Sequence, residues 1–227
     1  MITVTEERSG MYILDDGRVR CFLFLGEGEA LLIDTAFPDS DVASEVKKIT
    51  DLPVKVALTH GDMDHTGGLD SFGECWVHEG DFKMIEDGIV KHELKEGDLL
   101  SVGDYRFKVI HTPGHTYGSV SFLEEQKHFM ITGDGVQKNG MIFMFGENRN
   151  FPLYLETLKK LQVLVKAQNI EKIYPSHSEC PLPCEAVDNV LEDAQKLYDG
   201  QIPPAKKHEF MPCNVYMAPS TGFLYQP

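Results

Sequence analysis

Ten consecutive residues carry more potential chemistry than any other stretch of the chain: Thr59-His60-Gly61-Asp62-Met63-Asp64-His65-Thr66-Gly67-Gly68. Four side chains able to hold a metal ion, His60, Asp62, Asp64 and His65, fall within six residues, directly after the apolar run 54–58. Imidazole nitrogen and carboxylate oxygen are the donors of zinc, iron and manganese sites. The paired glycines let the backbone turn tightly and leave such donors uncovered at the end of a strand, where rigid scaffolds present reactive groups. Three later segments add one candidate each, every one beside a Gly or a Pro: Thr112-Pro113-Gly114-His115-Thr116, Thr132-Gly133-Asp134-Gly135 and Tyr174-Pro175-Ser176-His177-Ser178. Taken singly, His115, Asp134 and His177 read as ordinary loop residues. Added to the first cluster, they complete a nitrogen and oxygen donor set of the size that two metal ions need.

The elements that must position these side chains are legible from periodicity. Residues 12–14, 19–25 and 30–33 are β-rich runs separated by Asp15-Asp16-Gly17 and Gly26-Glu27-Gly28, the pattern of antiparallel strands joined by tight turns. Residues 40–49 follow Pro-Asp-Ser and place Val42, Val46 and Ile49 at helical spacing before the apolar run 54–58. The second half repeats the theme, with strands predicted at 105–111, 119–123, 128–132 and 170–174 and amphipathic helices at 151–167 and 184–198. Two halves of strands followed by a helix predict an α/β (α+β) protein in which two sheets pack face to face with helices outside. No linker rich in Pro, Gly or Ser divides them, so residues 1–227 are expected to form one domain.

Composition narrows the partners. Across 227 residues, 36 Asp plus Glu outnumber 21 Lys plus Arg, a formal net charge of −15, while 42% of the chain is hydrophobic. That apolar share can fill a core. The acidic balance opposes nucleic acid and anionic membrane surfaces, both of which bind through clustered Lys and Arg. No run of about 20 apolar residues spans a bilayer, and the first residues lack a basic-then-apolar leader, so a cytoplasmic location is expected. Five scattered cysteines do not make a disulfide framework. Cys180 and Cys184 could hold a metal or form a bridge at their spacing, with plain loop and helix-start positions the favoured reading.

The order His-x-Asp-x-Asp-His, Thr-Pro-Gly-His-Thr-x-Gly-Ser, Thr-Gly-Asp and a final His after a strand resembles the metallo-β-lactamase superfamily, especially its glyoxalase II-like hydrolases. The resemblance runs from Asp34-Thr35 to Gly222-Phe223-Leu224-Tyr225. It implies an αββα sandwich of two mixed sheets with a dinuclear metal site on one edge. His60 and His115 then correspond to ligands of one metal, Asp64, His65 and His177 to ligands of the other, and Asp134 to the bridging carboxylate. One position departs. The common pattern is His-x-His-x-Asp-His, and Asp62 stands in the place of the middle His, where the flavodiiron branch carries Glu.

Two divalent ions are therefore the expected cofactors. Three carboxylates and one bridging hydroxide would balance two such ions, leaving the site one unit less positive than with the usual His. A less positive site lowers the pKa of bound water less, and the extra oxygen ligand favours iron or manganese in the cell, even where purified protein carries zinc; Asp62→His is expected to increase zinc affinity if Asp62 is a ligand. The resemblance implies hydrolysis of a small ester, thioester, lactone or phosphoester by a hydroxide bridging the metals, with Asp64 the catalytic side chain that orients it. A di-iron oxidoreductase fed by an external electron partner is the alternative that Asp62 suggests. A small-molecule substrate is the expected partner, with no nucleic acid, no membrane and a homodimer as the candidate assembly. Residues 141–145, Met-Ile-Phe-Met-Phe, read as either a buried strand or a pocket lining.

Overall fold

The structure, a computed structural model, describes residues 1–226. Seven strands in chain order make the first sheet: β1 (Thr3–Arg8), β2 (Met11–Asp15), β3 (Arg20–Leu25), β4 (Ala30–Ile33), β5 (Val54–Ala57), β6 (Glu74–Val77) and β7 (Val90–Glu93). The first four pair antiparallel and the last four parallel. Helix α1 (Val42–Ile49) is the crossover between β4 and β5. Its start is set by Asp41, whose side chain accepts a hydrogen bond from the Ser44 amide at 3.1 Å. The short helix α2 (Met63–Thr66) follows β5.

The second sheet holds β8 (Leu99–Val102), β9 (Tyr105–His111), β10 (Val120–Glu124) and β11 (Phe129–Gly133). After β12 (Met141–Met144) and the long helix α3 (Phe151–Ala167), the strands β13 (Lys172–Pro175) and β14 (Leu182–Pro183) complete it in the order β14-β13-β11-β10-β9-β8. Helix α4 (Glu185–Tyr198) then lies against α3, and β15 (Lys206–Lys207), β16 (Asn214–Met217) and β17 (Gly222–Tyr225) join β12 in a third sheet of four strands.

Alternation along β3 and β4 shows how the layers are built. Phe22, Phe24, Leu31 and Ile33 enter a core shared with Phe107, Phe122, Phe129 and Tyr174 of the second sheet, and the rings of Phe24 and Phe107 meet at 4.7 Å. Their neighbours Cys21, Leu23, Ala30 and Leu32 face the other way, onto Val42 and Val46 of α1. Strands buried on both faces read as unbroken apolar runs, and these do. Behind the second sheet, Ile110, Leu123, Met130 and Ile173 pack under α3 and α4. The order of layers is helix, sheet, sheet, helix, as the sequence predicts. The third sheet was not foreseen. Its strands are short, and Ile142, Phe223 and Tyr216 extend the core beneath α3.

Helix α3 matches its predicted span of 151–167, fixed at one end by Asn150, whose side chain accepts from the Leu153 amide at 2.9 Å. The predicted strands 30–33 and 105–111 also match β4 and β9, and the remaining predicted strands and helices shift by one or two residues at their ends. β1, β6, β7 and β8 had no strong signal, because Thr-Val-Thr-Glu-Glu-Arg and Val-Lys-His-Glu have little apolar alternation. The cysteines are all free; Cys180 packs against the core between the sheets and Cys184 precedes α4, so neither forms a bridge. No helix among the described residues is long and apolar enough to cross a membrane.

Candidate metal centre

The four segments picked out by residue type converge on one edge of the sandwich. β4 and β5 run parallel, as do β11 and β13, and β9 runs with β11 because both are antiparallel to β10. The loops leaving β5, β9, β11 and β13 carry His60, His115, Asp134 and His177 respectively. All seven candidate side chains meet there in two groups.

In the first group, Asp62 Oδ2 lies 3.3 Å from His60 Nε2 and 3.2 Å from His115 Nε2. In the second, Asp64 Oδ2 lies 3.2 Å from His177 Nε2 and 3.7 Å from His65 Nε2. Asp134 stands between them. Its Oδ1 is 3.2 Å from both His65 and His177, while its Oδ2 is 3.5 Å from His115. The donor atoms of His60, Asp62 and His115, of Asp64, His65 and His177, and of His60, His65 and Asp134 each lie within 4.8 Å of one another.

Every one of the four imidazoles is held from behind through Nδ1. His60 donates to Thr59 Oγ1 at 3.0 Å, which in turn donates to Asp34 Oδ2 at 2.7 Å. His65 donates to Asp34 Oδ2 at 2.8 Å, His115 to the Phe143 carbonyl at 3.0 Å and His177 to the Arg18 carbonyl at 2.7 Å. A ring whose Nδ1–H is committed to an oxygen presents the Nε2 lone pair on the other side, the tautomer that binds a metal. His60 Nε2, His65 Nε2 and Asp134 Oδ1 are buried and lack an aligned hydrogen-bond partner. Orphaned buried polar atoms are rare and require an explanation. Three of them turned into one space, within a nitrogen and oxygen donor set, fit metal ions.

The electrostatics of the free cluster follow from this crowding. Burial alone would raise the Asp134 pKa, but the positive charges of His177 and His65 beside it hold it well below the usual carboxylate range. Burial would lower His177, and Asp134 with Asp64 outweighs it, pushing it up to about 10. His115 moves the other way: burial first, then the Arg149 charge, keep it below the ordinary imidazole value.

Three residues that support the site carry no sequence signal of the strength of the ligand motifs. Asp34, fully buried after β4, accepts from the Thr59 amide at 2.7 Å and from the Thr59 and His65 side chains. Asp81, also fully buried, accepts from the Gly61 amide at 2.8 Å, the Gly118 amide at 2.8 Å and Thr116 Oγ1 at 2.6 Å, tying the His60 loop to the His115 loop. Arg149 reaches Asp62 Oδ2 at 2.5 Å. The last contact corrects the charge reading made from sequence, since a cation stands against the carboxylate that departs from the common pattern. Tyr117, two residues after His115, is 42% exposed.

Gly114 sets the position of His115. Its φ is +129°, and a Cβ there would come within 2.4 Å of the backbone of Tyr154 on α3. Only glycine adopts that conformation at low cost. Gly114→Ala is therefore expected to destabilise the protein by about 3 kcal/mol or more, combining backbone strain with overpacking. At this chain length that lowers Tm by roughly 6 to 12 °C, which a thermal melt would read.

The pocket above the cluster has a volume of about 390 Å³. Asp62, Asp64, Asp134 and His177 line its floor, and Met141 and Phe143 form a wall. Both readings of 141–145 hold, because the strand alternates: Ile142 and Met144 enter the core while Met141 and Phe143 face the pocket.

Comparisons with known proteins agree with the fold and the motifs. An atrochrysone carboxyl ACP thioesterase from Aspergillus aculeatus is 28% identical over 183 residues, covering 76% of this chain and 51% of that protein. A hydroxyacylglutathione hydrolase from Legionella pneumophila is 31% identical over 125 residues, covering 54% of this chain and 47% of its own length. The chain thus spans about half the length of these two relatives. A metallo-beta-lactamase family protein from Thermus thermophilus superposes with a TM-score of 0.65 at 22% identity, covering 86% of this chain and 80% of that one. The family model for the metallo-beta-lactamase superfamily matches residues 14–177, from β2 through the last candidate ligand. On that match, with this fold and this cluster, the chain belongs to the metallo-beta-lactamase superfamily, a family of hydrolases.

Proposed function

We propose that the protein is a metal-dependent hydrolase of acyl thioesters or esters that uses two divalent ions, with zinc suited to the donor set. The observation that carries this reading is the division of seven side chains into two groups joined by Asp134 on the floor of a pocket. His60, Asp62 and His115 would hold one ion and Asp64, His65 and His177 the other. Bound there, the ions would activate a water near neutral pH and draw charge from the substrate carbonyl oxygen.

The chain's own residues do the rest. Asp64 lies on the pocket floor with its side chain 22% exposed and one oxygen turned to His177, a position from which it can orient a water and take its proton. Asp34, Thr59 and two backbone carbonyls keep the imidazoles from rotating. No cysteine lines the pocket, so no thiol nucleophile is called on.

The substrate class rests on the wall and on the relatives. Met141 and Phe143 offer an apolar surface beside a strongly polar floor, which suits an acyl group carried on a polar leaving group. The two relatives described above are named for the hydrolysis of acyl carrier and acylglutathione thioesters. Asp62 supplies oxygen where the common pattern supplies nitrogen, and that is the one observation favouring iron or manganese, with the di-iron oxidoreductase as the rival activity.

A series of acyl-coenzyme A thioesters of increasing chain length, given to metal-loaded protein, tests the assignment. Hydrolysis abolished by a chelator and restored by zinc is expected, whereas oxygen consumption at an iron-loaded site without hydrolysis would support the rival. Phe143→Ala is expected to raise KM for the longer chains by about 10- to 100-fold, the value of the lost ring contact, with kcat little changed. An equal change for short and long chains would detach Phe143 from the acyl site.

A further inference from the structure

The departure of Asp62 from the family pattern has a partner 87 residues along the chain. Arg149 Nη2 lies 2.5 Å from Asp62 Oδ2, the same oxygen that faces His60 Nε2 and His115 Nε2. The Arg149 side chain is 12% exposed, that of Asp62 18%, and Arg149 Nε is buried without a partner. The segment around it is fixed at both ends. The Arg149 amide donates to the Gly146 carbonyl, and the next residue, Asn150, both caps α3 and donates its own amide to the Gly114 carbonyl at 2.8 Å. Arg149 is therefore held on the same framework that holds His115.

A neutral imidazole at position 62 would bring no charge to the His60 and His115 group. Asp62 brings one negative charge, and Arg149 brings one positive charge to the same oxygen. The guanidinium is always protonated and is the side chain best suited to a partly buried carboxylate. Seen from the cation position, the pair is neutral, as the usual histidine would be.

We propose that Arg149 is a positioning residue and built-in counter-cation for Asp62, so that positions 62 and 149 act as one coupled unit in setting metal affinity at the His60 and His115 group. Asp62 keeps its place against the two imidazoles because Arg149 is bonded to the same Oδ2. Either residue without the other leaves a largely buried charge unpaired, which costs more than the intact pair gains. The sequence expectation for Asp62→His thereby reverses sign. In the presence of Arg149 that substitution places a naked guanidinium beside the metal position, and zinc binding weakens instead of tightening.

This inference rests on the dinuclear reading, and the experiment separates the two. Full-length protein stripped with chelator is titrated with zinc against a chromogenic chelator, for the wild type, Asp62→His, Arg149→Met and the double variant. The wild type is expected to take up two zinc ions. Asp62→His alone is expected to bind the weaker ion at least tenfold less tightly, and Asp62→His made in the Arg149→Met background is expected to bind it no less tightly than Arg149→Met does. Arg149→Lys, which keeps the charge, is expected to retain both ions. Thermal melts in chelator accompany each titration, and Asp62→Asn replaces Asp62→His if the latter does not fold. A purely structural Arg149 would lower Tm and leave the response to Asp62→His equal in the two backgrounds. Equal responses, or tighter zinc binding by Asp62→His alone, would overturn the coupling while leaving the two-metal reading in place; a wild type that takes up no zinc would overturn both.

Discussion

Asp134→Ala is expected to lower thioester hydrolysis by about a thousandfold or more and to abolish the stabilisation that metal gives the protein. Asp134 is the residue shared by the two groups, with one oxygen 3.2 Å from His65 and His177 and the other 3.5 Å from His115. Without it neither group keeps its full donor set, and the floor of the pocket loses the anion between them. Charge stabilisation by bound metal is worth several kcal/mol, and about 4 kcal/mol corresponds to about a thousandfold in rate. Because Asp134 is ion-paired with His65 and His177 at 3.2 Å in the metal-free protein, chelator-treated Asp134→Ala is expected to melt below the chelator-treated wild type, so each variant's metal response is read against its own chelator-treated melt. The increase in Tm on adding zinc, which mass action gives the wild type, should be absent. Paired melts with zinc and with chelator read both effects. A variant that keeps the zinc-dependent increase and most of its turnover would remove Asp134 from the bridging position.

Asp81→Ala is expected to have the largest effect on stability. Asp81 touches none of the seven candidate ligands, yet it receives the amides of Gly61 and Gly118 and the hydroxyl of Thr116 in a fully buried position. Truncation leaves two buried N–H groups without acceptors and opens a gap between the loops that carry His60 and His115. At about 1–3 kcal/mol for each orphaned N–H, the loss comes to about 2–6 kcal/mol. A drop in Tm of roughly 4 to 24 °C follows at this chain length. Supports of this kind also set ligand geometry, so zinc affinity should fall by about 10- to 100-fold. Asp81→Asn keeps one acceptor oxygen and should fall between the two. Denaturation in chelator separates the stability effect from the metal effect. A loss of less than about 1 kcal/mol would mean that water or a shifted side chain replaces the carboxylate.

These two residues mark the boundary of what the sequence reveals. The seven candidate ligands stand out because they combine a dense cluster with three isolated residues, each beside a glycine or proline at a strand end, and the structure brings all seven to one edge. The sandwich was legible for a related reason. Residues 20–25 and 30–33 are apolar on both faces, and α3 is long and amphipathic. Asp81 offered no such pattern, being one aspartate in a short 3-10 turn. Asp34 carried a weak signal, a single carboxylate directly after a buried run, with φ of +63°. Arg149 was invisible, because its meaning comes from a contact with a residue 87 positions away. Without it, Asp62 looked like a net loss of positive charge. With it, the charge is restored, and the oxygen donor of Asp62 is what remains in favour of harder ions.

The third sheet was missed because its strands are short and it forms between distant parts of the chain, β12 and the last 22 residues. It nevertheless shapes the site. The parallel pairing of Phe143 with Leu224 and of Met141 with Gly222 sets the strand that offers Met141 and Phe143 to the pocket and the Phe143 carbonyl to His115.

The central claim is that two metal ions held by this cluster carry the hydrolysis. The most direct test is to strip the protein with chelator, titrate zinc back, and follow acyl-coenzyme A hydrolysis and bound zinc on the same sample. Activity should be absent from the stripped protein, rise with added zinc and break at two ions per chain. Hydrolysis that persists in fully stripped protein, or that is complete before any zinc is bound, would contradict it.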